Sequence, residues 1–185
     1  MSFVFDIHKS VQAAAYILKN APKKKLTRGQ LIKLLYLADR LSLQQRGYPI
    51  TGDGPVAMNN GPVLTEIYDL IKGKSKKSKF QEIWTAFFTS ERLDVVLRKD
   101  PGDGELSPSD IGILESVSKD FGYMTFSELR KYTHALDEFK KCHVSDTSKK
   151  IPLRILADAV GRKGDFQRIE QTKKFDVHMS RLFGN

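Results

Sequence analysis

The chain has 185 residues, 40% of them hydrophobic, and its 31 Lys and Arg against 22 Asp and Glu give a formal charge of +9. That size suits a single domain over residues 1–185, because two domains would each sit near the marginal range. No apolar run reaches the roughly 18 residues of a membrane span, "MSFVFDIHKS" lacks the parts of a secretory signal, and one cysteine, Cys142, excludes an internal disulfide framework.

The expected setting is cytoplasmic, with no membrane partner. The positive surplus speeds encounter with acidic proteins, nucleic acid or anionic lipid without choosing among them. Ile7, Val11, Ala14, Ala15 and Leu18 recur at helical spacing, predicting an amphipathic helix from Asp6 that stops before Ala21-Pro22. Thr27 and Gln30 form a capping box, hydroxyl and amide satisfying reciprocal N–H groups at a helix start. Behind it Leu31, Leu34, Leu35, Ala38 and Leu41 make a core-facing stripe that should end near Arg46-Gly47.

Pro49 to Gly54 is turn chemistry, and "PVAM" at 55–58 is at most a short extended piece. Gly61-Pro62 is expected to open the next helix, with proline in the first position giving up an N–H that would be unpaired anyway. Val63, Ile67, Leu70 and Ile71 would be its buried stripe. "KGKSKKSKF" at 72–80, with five lysines in nine residues, predicts a surface loop. "EIWTAFFTS" and "LDVVLRKD" are rich in aromatic and β-branched residues around a short connection and predict a hairpin.

Ser107, Pro108 and Asp110 start a further helix with Ile111, Leu114, Val117 and Phe121 inward and Gly122 as its stop. Thr125 and Glu128 cap "FSELRKYTHAL", Pro152 opens "PLRILADAV" ahead of Gly161, and the tail at 166–183 carries a weaker helical pattern. The fold expected is mainly α (α+β): a compact helical domain with a small β-hairpin.

Little of this points to catalysis. His8, His134, His143, His178 and Cys142 lack the spacing of common zinc motifs, so no metal site is expected. Neither "GDG" stretch is a phosphate loop, and no cofactor is implied. A Cys142 nucleophile with a distant histidine such as His134 as base has no local support. Lys72, Lys74, Lys76, Lys77 and Lys79, helped by Lys23 to Lys25 and by Lys149, Lys150 and Arg154, offer phosphate contacts. No aromatic residues are interleaved with them for base stacking, and a solvated basic face is the plainer reading. Met58, Tyr36 and Tyr68 suit either a contact surface or the core, and Tyr68 lies off its helix's main stripe, where a ring with a polar tip fits an interface.

Three segments, "KLLYLADRLSLQQRGYPITGDGPVAMNNGPVLTEIYDLIK", "FGYMTFSELRKYTHALDEFKK" and "IPLRILADAVG", resemble in that order the Panacea domain family, which includes the SocA-like antitoxins of bacteria and phages. The family's "KLLYxAD" helix, its "AxxxGPVxxxxY" stretch and its "THxxPW"-like stretch correspond here to Lys33–Asp39, Ala57–Tyr68 and Thr133-His134. The resemblance spans about residues 26–161. Asp137 and Phe139 stand where relatives often carry proline and tryptophan, so a hydrogen bond from an indole is not inherited.

The resemblance implies an antitoxin, not an enzyme: a binding protein that holds one cognate toxin, commonly encoded by an adjacent gene, inactive. Some relatives instead deliver the toxin to a Clp-type protease. The expected partner-binding residues are Tyr36, Asp39, Met58, Asn59, Asn60, Gly61, Pro62, Tyr68, His134 and Phe139. Gly61 would turn the backbone sharply, Pro62 would fix the helix start, and the loop ahead would present Met58, Asn59 and Asn60 at little entropic cost. The plainer alternative is that the loop only packs two helices together. A nucleic-acid-binding regulator using the 72–79 lysines is the alternative of a different class.

Overall fold

Residues 3–183 are described by the computed structural model. Helix α1 (Ile7–Asn20) starts where the Asp6 carboxylate accepts the Lys9 N–H. A 3-10 turn at Pro22–Lys24 leads to strand β1 (Lys25–Thr27) and helix α2 (Arg28–Arg46). The Thr27–Gln30 capping box opens α2, and Gly47 closes it in the left-handed conformation at φ 84°. Every residue from Leu31 to Asp39 is buried, so α2 is enclosed on all sides, not along one stripe. It runs through the middle of the domain, packed by α1, the α5 and α6 helices described below, and a β-hairpin.

That hairpin is β2 (Pro55–Met58) and β3 (Gly61–Leu64), followed by α3 (Thr65–Lys72) and α4 (Ser78–Phe87). Then come β4 (Phe88–Glu91), β5 (Asp94–Leu97), α5 (Pro108–Phe121), α6 (Phe126–His134) and α7 (Asp137–Cys142). The chain ends in β6 (Lys149–Lys150), α8 (Leu153–Ala159) and α9 (Phe166–Phe183). Two three-stranded antiparallel sheets form, in the orders β1-β5-β4 and β3-β2-β6. The architecture is mainly α with a small β component, as the patterning predicts, and the capping boxes at Thr27, Ser107 and Thr125 all form.

Three expectations are corrected. Gly61-Pro62 opens no helix: it begins β3, with Met58 opposite Gly61 and Ala57 opposite Pro62, and the helix starts at Thr65. Asn59 and Asn60 turn the chain without positive φ and Gly61 follows at φ 99°, the arrangement of a type I turn closed by a glycine. Pro62 is tolerated because β3 is an edge strand.

"EIWTAF" is helical, not extended: Phe80, Ile83, Trp84 and Phe87 recur at helical spacing in α4, with Trp84 buried, and only Phe88–Glu91 pairs with β5. The lysine loop is correspondingly shorter, since Lys72 ends α3 and Lys79 lies in the first turn of α4. The short strands β1 and β6 are additions to the expected hairpin.

A main core gathers α1, α2, α3 and α5 around residues such as Leu18, Leu34, Ile67 and Leu114. A second cluster joins Leu43, Ala57, Phe139, Ile151, Leu156 and Ile169, fastening α7, α8 and α9 to the hairpin.

Candidate partner-binding site

Lys33, from the middle of α2, is 1% exposed, and its Nζ donates to the Pro62 carbonyl at 2.6 Å. A Cβ on Gly61 would lie 2.9 Å from that Nζ, 3.0 Å from Thr133 Oγ1 and 3.2 Å from His134 Cδ2. The backbone of β3 is thus pressed between α2 and the end of α6 at a distance only glycine permits. Burial, with Arg130's charge adding to it, pushes the Lys33 ammonium down to about 7.

The Thr133 hydroxyl turns back onto the Leu129 carbonyl at 2.8 Å. The His134 ring packs on Phe139 at 4.5 Å, and Phe139 on His143 at 4.7 Å. Burial, then the charges of Arg130 and Lys33, lowers the proton affinity of His134, which suits a neutral ring in this stack. The Nε2 atoms of His134 and His143 are buried without a hydrogen-bond partner among the described residues.

Behind this junction, Tyr36 Oη donates to Glu138 Oε1 at 2.8 Å and Arg40 Nε donates to the same oxygen at 2.7 Å, with Glu138 fully buried. This ties α7, and with it Phe139, to α2. Asp39 accepts the N–H groups of Ile50 and Thr51, each at 2.9 Å, and the Thr51 hydroxyl. Asp53 accepts from Gly54 N at 2.6 Å, Glu66 N at 3.1 Å and Ile67 N at 3.0 Å. Asp53 therefore supplies from a distance the cap that Leu64, at the N-cap position of α3, lacks. Burial outweighs these donors and raises Asp39 to about 6 and Asp53 to about 7. Together the two carboxylates hold the loop from Gly47 to Gly54 that delivers the chain to β2.

The tip of the hairpin stands outside. Met58 is half-buried, and Asn59 and Asn60 are exposed. Asn59 Nδ2 donates to Asp146 Oδ1 and Asp146 N donates to Asn59 Oδ1, both at 2.8 Å, while Asp146 itself sits at φ 58°. Tyr68 is half-buried on α3, with the Lys72 ammonium 5.5 Å from its ring centroid.

Of the ten expected contact residues, Tyr36, Asp39, Gly61, Pro62 and Phe139 are buried and build the hairpin's support. Met58, Asn59, Asn60, Tyr68 and His134 reach the surface. Lys33, Asp53, Glu138 and Asp146 are as central as any of these, yet residue patterns alone do not single them out as site residues. Lys33 offers the one detectable signal, a charge embedded in an apolar helix.

Lys72, Lys74, Lys76, Lys77 and Lys79 are all exposed, and Lys77 pairs with Glu66 at 3.4 Å. Cys142 is buried, and burial together with Glu138's charge holds its thiol above the usual range, opposite to an activated nucleophile. Among the described residues no group of three or more His, Cys, Asp or Glu is placed to hold a metal ion, and no helix is long and apolar enough to cross a membrane.

Residues 31–139 match the family described as Antitoxin SocA-like, Panacea domain, more than half of the chain. The match runs from α2 to Phe139 and takes in Lys33, Asp53, the hairpin, Thr133-His134 and Glu138. The "IPLRILADAVG" segment at 151–161, which carries α8, lies outside it. The chain matches no curated protein and no solved structure.

Proposed function

This chain belongs to the SocA-like, Panacea-domain antitoxin family, and from that premise we propose that it neutralises one cognate toxin by direct protein–protein binding. The observation that carries the reading is the convergence of Lys33, Gly61-Pro62 and Thr133-His134 beneath an exposed hairpin tip. A loop braced from two helices and latched by Asn59 to Asp146 loses little conformational freedom on binding. Met58, Asn60 and the outward edge of His134 form the contact surface, with Tyr68 as a second anchor of the kind that dominates interface energies. Tyr36, Asp39 and Phe139 act from inside by positioning it. The role is non-catalytic.

Co-expression with the product of an adjacent gene tests this. Growth is restored and the two proteins co-purify. A toxic neighbour neutralised without any association, or the lack of a toxic neighbour, overturns the reading. Steric neutralisation leaves the amount of toxin unchanged, whereas delivery to a Clp-type protease lowers it.

A further inference from the structure

A cleft of about 620 Å³ opens beside the hairpin, on the face formed by the start of β2, β6, α8 and α9. Phe3, Phe5, Leu43, Val56, Ile151 and Phe166 supply much of its wall, a size and apolar character typical of sites that enclose a ligand.

Its charges are unevenly satisfied. Arg40 is paired with Glu138 at 2.7 Å, Lys77 with Glu66 at 3.4 Å, and Lys173 with Glu170 at 4.0 Å. Asp39 and Asp53 face the cleft, but their oxygens are occupied by backbone and hydroxyl donors. Lys150 and Arg154 remain. Both are exposed cleft residues, and among the described residues neither forms an ion pair; the Arg154 guanidinium lies only over the Phe166 ring, 6.0 Å from its centroid. The unpaired charge on the exposed residues of the cleft is therefore positive and lies beside an apolar wall.

Lys150 belongs to β6, which among the described residues pairs with β2 alone and forms the outer edge of its sheet. An edge strand offers free backbone N–H and C=O groups, and lysines on it repel a second basic edge while welcoming an acidic one.

We propose that this cleft receives an extended segment of the protein partner that alternates acidic and apolar side chains and aligns along the open edge of β6. The acidic groups meet Lys150 and Arg154, and the apolar ones lie against the phenylalanine wall. The assignment rests on the toxin-binding reading above for the identity of the partner, and it extends that partner's footprint beyond the hairpin tip to β6, α8 and α9, which lie outside the matched family region.

The test has two arms. In the first, a fluorescein-labelled hexapeptide alternating glutamate and valine is titrated into the full chain. It binds, its affinity falls as salt is added, and binding weakens at least tenfold in the Lys150→Glu/Arg154→Glu double variant. Lys99→Glu/Lys119→Glu, an equal change of charge at exposed residues outside the cleft lining, leaves binding intact. Failure of the peptide to bind, equal binding by the cleft variant, or equal binding of a lysine–valine peptide overturns the cleft.

In the second arm the cleft double variant is co-expressed with the toxic neighbour. Loss of co-purification supports the cleft as part of the interface. A variant that holds the toxin as tightly as the unaltered chain overturns the cleft and leaves neutralisation standing. Peptide binding in the first arm without any toxic neighbour does the reverse.

Discussion

Lys33 Nζ donates to the carbonyl of Pro62 at 2.6 Å, twenty-nine residues along the chain and fully inside the protein. The folded state holds this amine near 7, well below its ordinary 10.5, so between those values it binds fewer protons than the unfolded chain. Its contribution to stability is complete above the unfolded value and is lost as pH falls through about 7. Asp39 and Asp53 have the opposite sign: raised to about 6 and 7, they favour the folded state most at acidic pH and lose that contribution as pH rises through those values. The melting temperature measured from pH 4.5 to 10 should therefore pass through a shallow minimum near neutrality. Lys33→Met should flatten the alkaline limb, and Asp53→Asn the acidic one. A melting temperature that rises steadily across neutrality would contradict these assignments.

Gly61 combines φ 99° with a Cβ direction that meets Lys33, Thr133 and His134. Gly61→Ala should cost about 1–3 kcal/mol, from the left-handed backbone and from crowding together. Part of the crowding is with the far end of Lys33, so Lys33→Ala in the Gly61→Ala background should cost less than it does alone. Denaturant unfolding of the two single variants and the double variant reads the coupling, and strict additivity would show that the crowding carries no energy.

The helix starts were legible because capping is local: Thr27 with Gln30, Ser107 with Asp110 and Thr125 with Glu128 each satisfy the backbone within a single turn. Gly61-Pro62 was misread because a proline at a helix start and one on an edge strand look alike over four residues. What decides between them is the pairing of β3 with β2 and the Lys33 bond from another element. In α4 the β propensity of Ile83, Trp84 and Phe87 masked their helical spacing, and burial of Trp84 against the core prevailed. The two-residue strand β6 exists only because β2 lies beside it. At the candidate site, Asn59, Asn60 and Gly61 announce a turn from their own residue types, whereas Asp53, Glu138 and Asp146 make their contacts with partners many residues distant.

The division between exposed tip and buried support separates two classes of variant. Met58→Asp and Tyr68→Ala alter half-buried side chains and should weaken toxin binding while leaving the folded spectrum intact. Phe139→Ala removes a ring that is 3% exposed, stacked on His143 and packed at a tilt against His134, and should cost about 3–5 kcal/mol of stability. Circular dichroism beside a pull-down with the toxin distinguishes them. Unfolding of both Met58→Asp and Tyr68→Ala would assign those residues to the core.

Glu138 receives Tyr36 Oη and Arg40 Nε on one oxygen while none of its own surface meets water. Removing one member of such a pair strands the other's charge in a poorly solvated place, so Glu138→Ala should destabilise by about 3–5 kcal/mol. Tyr36→Phe deletes a single bond to a charged acceptor and should cost about 1.5–3 kcal/mol. Because Glu138 anchors α7, and Phe139 on that helix carries the His134 stack beside Gly61, both changes should also loosen the hairpin tip. Amide exchange at Gly61 and Val63, which pair with Met58 and Val56, should accelerate in Tyr36→Phe before global stability limits it. Unchanged protection at the tip, with only the global value reduced, would place the Tyr36–Glu138–Arg40 network outside the hairpin's support and leave Lys33 as its brace from α2.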